Sequence, residues 1–169
     1  VVLYRVTKRG LEELQVLARK LEAPPITTND QLQVWFSLGL GHGISHSLFA
    51  YLSVATLTLG PGTLYVKECP DMSYFLAAGL TSMAFVIMHT FLMLVSFHGF
   101  DTGSRVWVWI PPVTHMAAAL LTTLNAQEGA CMFTIPVLHV VSLACVGGGA
   151  VAFLSRMQMG LPVDEGDEE

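Results

Sequence analysis

Charged residues are scarce in this 169-residue sequence and are unevenly distributed along it. Asp, Glu, Lys and Arg make up 12% of the chain and hydrophobic residues 53%, a composition too apolar for an ordinary soluble domain. Four stretches, at about 32–57, 72–97, 106–124 and 131–154, contain no charged residue. Each is long enough for a helix to cross about 30 Å of hydrocarbon. We therefore predict an all-α, polytopic transmembrane bundle with four spans.

The remaining segments predict three parts of the chain and its orientation. Residues 1–30 form an amphipathic and loop segment, 31–156 the transmembrane domain, and 157–169 an acidic tail whose composition is typical of disorder. Thr28-x-x-Gln31 matches a capping box at the start of the first span. All Lys and Arg except Lys67 lie before the first span, between the second and third, or after the fourth. The positive-inside rule then predicts that both chain ends are cytoplasmic.

The predicted spans also lack carboxylates, which disfavours an intramembrane aspartyl protease. An intramembrane aspartyl protease needs two carboxylates at membrane depth. No glycine-rich phosphate loop or nucleic-acid-binding patch is present either. A membrane serine hydrolase needs a nucleophile, a base and oxyanion donors. Ser45 or Ser47 with a distant histidine would supply the residue types but does not define a geometry, so catalysis is disfavoured.

The sequence contains three cysteines, too few for a disulfide scaffold. Cys145 lies in the middle of the fourth span, where plain packing accounts for it. The predicted topology puts Cys69 and Cys131 on the same, non-cytoplasmic side, where a disulfide bond is chemically permitted. Two free thiols are the expectation, with the bond as the alternative.

Small residues recur at four-residue spacing in the first span. Gly39, Gly43 and Ser47 lie at positions i, i+4 and i+8 and therefore share one helix face. Lipid provides no hydrophobic drive between helices, and small residues let two backbones approach closely. Two interpretations remain open: a generic contact within one bundle, or a dedicated groove for a partner helix.

Five histidines fall within the predicted spans, where polar side chains should face the bundle interior. His89 and His115 lie near the middle of antiparallel neighbours and could meet, either as satisfied core residues or as a network that contacts an inserted partner segment. His42 and His46 form an i, i+4 pair that could hold a metal together with His139, or a bis-histidine haem. A histidine-lined transporter or a haem- or metal-binding redox protein is thus the alternative function. No motif fixes such a geometry, so we assign no metal or cofactor.

Several of these features occur together in one known family. From about Pro25 to Arg156 the chain resembles the anterior-pharynx-defective subunit of γ-secretase. Five features carry the resemblance, in chain order: Gly39-x3-Gly43-x3-Ser47, Leu59-Gly60-Pro61-Gly62-Thr63, Met88-His89-Thr90-Phe91, His115, and Gly147-Gly148-Gly149. The family commonly has glycine at the third small position, where this chain has Ser47. Serine still permits close helix approach.

The resemblance implies a fold of seven spans with an outer N-terminus and a cytoplasmic C-terminus. This chain begins with Val1 and would correspond to the last four spans, with residues 1–30 as the preceding cytoplasmic loop. The implied locations are the endoplasmic reticulum and Golgi, with the plasma membrane as a further one.

The resemblance further implies a non-catalytic scaffold in the lipid bilayer. Its implied partners are nicastrin, presenilin and the presenilin enhancer subunit, and presenilin supplies the catalytic aspartates that cleave single-span membrane proteins. Gly39, Gly43 and Ser47 would then pack helices. His89 and His115 would support the interior surface that receives presenilin. No cofactor or small-molecule substrate is implied.

Overall fold

The computed structural model describes residues 1–52 and 65–159, and over these residues the protein is helical with no β-strand. The helices are α1 (Val2–Lys20), α2 (Thr28–Leu52), α3 (Tyr74–Thr102), α4 (Arg105–Thr123) and α5 (Cys131–Met159). A 3₁₀ turn, Leu124–Ala126, follows α4. The predicted all-α fold is confirmed.

Among the described residues, three helical segments are long and apolar enough to cross a membrane: α3, α4 with its 3₁₀ turn, and α5. The remaining predicted span corresponds to α2, whose described part is not among these three. The predicted end of that span, the stretch Leu59–Thr63 and the acidic residues after Leu161 lie outside the described residues. The polytopic helical bundle is therefore confirmed, and the three helices that qualify as spans match the second, third and fourth predicted spans.

Two helices extend beyond their predicted limits. α3 continues to Thr102 and ends at Gly103, whose φ of 64° places it in the left-handed region that favours glycine. Asp101 lies beyond the predicted end of the second span, near residue 97, and belongs to the last turn of this helix. α5 continues to Met159, so residues 157–159 are helical and not part of a disordered tail. In both cases the extra turn carries a charged side chain that has a partner across the bundle, described below.

The predicted capping box of α2 was wrong by one residue. The Thr27 backbone N–H donates to Asp30 Oδ2 at 2.8 Å, and the Asp30 N–H donates to Thr27 Oγ1 at 3.3 Å. These reciprocal bonds form a capping box with Thr27 as the N-cap. The backbone and side-chain hydrogen bonds from Thr27 lower the pKa of the Asp30 carboxyl. The sequence offered two adjacent threonines, and the position of the aspartate decides between them.

α3 is the central helix, since α2, α4 and α5 all pack against it. Its buried side chains meet those of α4 and α5 in the main core cluster, which contains Ala84, Phe85, Met88, Leu92, Ala118, Leu138 and Cys145. A second cluster joins α2 to the last third of α3 through Leu32, Trp35, Leu94 and Phe97. The helices around these two clusters carry the small-residue face (Gly39, Gly43 and Ser47) and four histidines, His42, His46, His89 and His115.

Candidate helix-packing face and histidine cluster

The small-residue face of α2 lies directly against the backbone of α3. A Cβ atom built on Gly39 would be 2.6 Å from the carbonyl oxygen of Thr90 and 2.9 Å from its Cα. A Cβ on Gly43 would be 2.9 Å from the carbonyl oxygen of Val86. Real Cβ atoms do not approach a backbone so closely. At this separation of the two helices, only glycine therefore fits at these two positions.

Ser47 continues the same face at its C-terminal end. Its side chain is buried, and its hydroxyl donates to the carbonyl oxygen of Ser82 at 3.2 Å. The Ser45 hydroxyl donates to the carbonyl of Gly41, one turn back in its own helix, at 2.8 Å. Both hydroxyls therefore donate to backbone carbonyls, which is not the arrangement that a serine hydrolase requires.

His89 and His115 lie close together, with ring centroids 5.0 Å apart. Two histidines of α2 join them: His42 and His46 have ring centroids 4.7 and 4.8 Å from that of His89. The His46 and His115 rings are 6.1 Å apart and bring α2 side chains next to α4. We call these four residues the histidine cluster.

The histidine cluster adjoins both packed apolar residues and a small pocket. Phe85 lies 5.3 Å from the His46 ring and 6.1 Å from the His115 ring, centroid to centroid. On the other side, a pocket of about 240 Å³ is lined by His42, His89 and His115 together with Pro111 and Pro112. The cluster thus contacts an aromatic side chain and also borders a pocket.

His139 does not belong to this cluster, which corrects the set of three histidines considered from the sequence. It lines a different pocket, next to Cys131, Ile135 and Pro136. Its Nδ1 lies 2.9 Å from the carbonyl oxygen of Ile135 in the preceding turn. The sequence did not separate these alternatives, because all five histidines fall within predicted spans and the sequence does not show which helices are in contact.

A second polar group, which was not predicted from the sequence, lies at the end of the bundle where α3 ends. Arg156 of α5 forms an ion pair with Asp101 of α3, with Nη1 2.9 Å from Oδ2, and both side chains are about one-tenth exposed. Its Nη2 also donates to Gln31 Oε1 at 3.1 Å, and its guanidinium lies 5.5 Å from the centroid of the Trp35 ring. These contacts connect α2, α3 and α5. Asp101 follows the predicted second span and Arg156 follows the fourth, and the sequence contains no local signal that pairs them.

Tyr4 of α1 contacts the same end of the bundle. The Tyr4 hydroxyl donates to Asp101 Oδ1 at 2.5 Å, and its ring lies 5.6 Å from Phe97 and 5.0 Å from Phe100. Burial and the hydrogen bond to Asp101 raise the pKa of Tyr4. The neutral phenol is therefore the form that this contact stabilises, and it persists until the pH rises above the ordinary tyrosine value of about 10.

The opposite end of the bundle contains a disulfide bond between Cys69 and Cys131. The expectation of two free thiols was wrong. An isolated bridge between Val66 and Cys69 turns the loop before α3 back on itself, and the Gly129 N–H donates to the Glu68 carbonyl at 2.9 Å. These backbone contacts bring the two loops together, so cysteines 62 residues apart in sequence become neighbours.

The glycine run in α5 contains one position of close contact. A Cβ on Gly149 would be 2.6 Å from a ring carbon of Phe91 on α3, whereas Gly147 has no atom within 4 Å of such a position. The run therefore contributes to the α3–α5 contact mainly through its last member.

A sequence profile of the Aph-1 protein family matches residues 1–155. Among curated proteins, a γ-secretase subunit APH1-like protein of Arabidopsis thaliana is 36% identical over 139 residues, which is 82% of this chain and 56% of the relative. The γ-secretase subunit Aph-1 of Drosophila melanogaster is 28% identical over 152 residues, 90% of this chain and 60% of the relative. The human γ-secretase subunit APH-1B is 26% identical over 151 residues, 87% of this chain and 56% of the relative.

No solved structure gives a significant match to this chain. The chain spans between half and two-thirds of the length of these curated relatives. The profile match covers most of the described helices, including the small-residue face and the histidine cluster. The apolar helices and these matches together identify a membrane protein that belongs to the Aph-1 family.

Proposed function

We propose that this chain is a non-catalytic scaffold of the γ-secretase intramembrane protease complex. Its partners would be presenilin, nicastrin and the presenilin enhancer subunit. The chain would act in the membranes of the endoplasmic reticulum and Golgi, and also in the plasma membrane. Both ends of the chain would be cytoplasmic, as the distribution of Lys and Arg indicates.

The observation that supports this proposal most directly is the backbone contact between α2 and α3. With Cβ positions at Gly39 and Gly43 occluded by the Thr90 and Val86 carbonyl oxygens, α2 and α3 form one closely packed unit. The opposite face of α2 remains exposed, including Ile44, Leu48 and Phe49. A scaffold needs such a combination, because a rigid helix pair presents apolar side chains to lipid or to a neighbouring subunit.

The roles of the acidic residues on α2 to α5 also favour a non-catalytic subunit. Asp30 forms the capping box of α2, and Asp101 is paired with Arg156. They lie on different helices and in separate hydrogen-bonded groups. A catalytic aspartyl dyad instead requires two carboxylates that share one site. In the proposed complex, presenilin supplies that dyad.

We also propose that His89 and His115 support the interior surface that faces presenilin. They line the pocket of about 240 Å³ beside Pro111 and Pro112, where proline removes helical N–H donors from α4. A partner segment entering there would find imidazoles as hydrogen-bond partners within an otherwise apolar setting.

The experiment that tests the scaffold compares two leucine variants of α2. Gly43→Leu should lower the amounts of presenilin and nicastrin that copurify with each molecule of this chain, because its Cβ alone would be 2.9 Å from the Val86 carbonyl oxygen. Gly41→Leu is the matched control, since a Cβ on Gly41 meets no atom within 4 Å. Unchanged recovery of both partners with Gly43→Leu would count against the proposal.

A further inference from the structure

The histidine cluster has buried nitrogen atoms that the rest of the described protein leaves without hydrogen bonds. His89 is 8% exposed and its Nε2 has no hydrogen-bond partner among the described residues. The same is true of Nδ1 of His46, which belongs to the facing helix. A buried polar atom without a partner costs roughly 1–3 kcal/mol, so one such nitrogen on each of two facing helices suggests a ligand.

The distances among these nitrogens suit a metal ion. One ring nitrogen from each of His46, His89 and His115 can be chosen so that the three atoms lie within 4.8 Å of one another. Imidazole binds Zn²⁺ at about 2.0–2.1 Å, which sets tetrahedral ligands about 3.3 Å apart. Each separation would therefore have to shorten by roughly 1.5 Å or less to complete the site.

The ligand type selects a class of metal ion. Neutral imidazole suits zinc and related first-row transition metals, whereas Mg²⁺ and Ca²⁺ require oxygen ligands. No carboxylate occurs within residues 32–57, 72–97 or 106–124, which contain the three histidines. The adjacent pocket of about 240 Å³ leads to His89 and His115 and can supply water at a fourth coordination position.

We propose that His46, His89 and His115 together bind one Zn²⁺ ion within the bundle. The ion connects α2, α3 and α4, because each helix contributes one ligand. The ion would hold the three helices together, because three imidazoles from three helices fix how those helices are arranged, and zinc itself has no redox chemistry. The site shares His89 and His115 with the proposed presenilin-facing surface, but the binding of zinc does not depend on which subunits accompany the chain.

The first test measures zinc in the untagged protein purified from membranes in mild detergent. We expect about one zinc per chain after dialysis against buffer with excess Mg²⁺. His46→Gln and His115→Gln should each weaken zinc binding by more than about tenfold, since even second-shell substitutions at metal sites cost 10–100-fold. His139→Gln is the matched control: it is also a helical histidine, but it lines another pocket, and its zinc content should equal that of the wild type.

A second measurement needs no variant and therefore does not depend on whether the substituted proteins fold. Zinc K-edge X-ray absorption of the wild-type protein should show a shell of nitrogen and oxygen ligands with the multiple scattering typical of several imidazoles. Sulfur ligands, or a single imidazole, would overturn the proposal. The proposal would also be overturned if the wild-type protein held no more zinc than His115→Gln, or if His139→Gln lost as much zinc as His115→Gln.

Discussion

The middle of the bundle and its two ends are held together by different kinds of contact. In the middle, α2 meets α3 where side chains are missing, and a Cβ on Gly39 would lie 2.6 Å from a carbonyl oxygen of α3. One end carries the covalent bond between Cys69 and Cys131. The other end carries the ion pair between Asp101 and Arg156.

This difference determines how each region responds to substitution. The middle depends on the absence of atoms, so adding a methyl group should disrupt it. The two ends depend on particular bonded partners, so removing a bonded atom or a charge should lower the stability there. Adding bulk to residues that do not take part in these bonds should have little effect on the ends. The comparison therefore predicts opposite sensitivities within one protein, and both can be measured by unfolding in detergent.

The largest effect is expected from breaking the disulfide with Cys131→Ser. The bond closes a loop between residues 62 apart in sequence, and a loop of that size corresponds to about 4 kcal/mol of stability in the chain-entropy description. The free energy of unfolding, measured by denaturing detergent titration, should fall by that order. A reducing agent should have the same effect on the wild-type protein.

Two outcomes would separate the disulfide from simple side-chain packing. The double variant Cys69→Ser with Cys131→Ser should be no less stable than Cys131→Ser alone, because the first substitution already breaks the bond. A reducing agent should leave the Cys131→Ser protein unchanged. If the two substitutions were additive, the contribution would come from packing of each cysteine and not from the bond.

The next largest effect is expected from Asp101→Asn at the opposite end. Arg156 would keep its buried charge without the compensating carboxylate, and breaking a buried ion pair costs about 3 kcal/mol or more. Asp71→Asn is the control, since Asp71 is exposed. Combining Asp101→Asn with Arg156→Gln should recover part of the lost stability. If Asp101→Asn were as stable as the control Asp71→Asn, this end of the bundle would not rely on the ion pair.

The sequence predicted the middle of the bundle better than its ends. Gly39 and Gly43 share a face through helical periodicity alone, and His89 and His115 were expected to meet from the antiparallel order of their spans. Such predictions use local spacing, which a sequence contains directly. The prediction that His42 and His46 share one face of a helix also rests on local spacing.

The ends could not be predicted because their partners are far apart in sequence. The ion pair between Asp101 and Arg156 depends on both helices extending past their apolar stretches, and hydrophobic periodicity does not fix helix ends. The disulfide depends on backbone contacts between two loops, including the hydrogen bond from Gly129 to Glu68. Neither has a local signature.

The smallest effect, and the closest test of the middle, comes from adding one methyl group to α2. Gly41→Ala should stabilise the protein by up to about 1 kcal/mol, because alanine favours the helix and the added Cβ meets no atom within 4 Å. Gly39→Ala has the same helix propensity gain, but its Cβ would lie 2.6 Å from the Thr90 carbonyl oxygen. Backbone cannot rotate away as a side chain can, so overpacking of about 2 kcal/mol should outweigh the gain. If the free energy of unfolding rises with Gly41→Ala and falls with Gly39→Ala, one face of α2 must be held against α3, because the two substitutions are identical and only two residues apart. Equal signs would mean that the helices tolerate separation at this point.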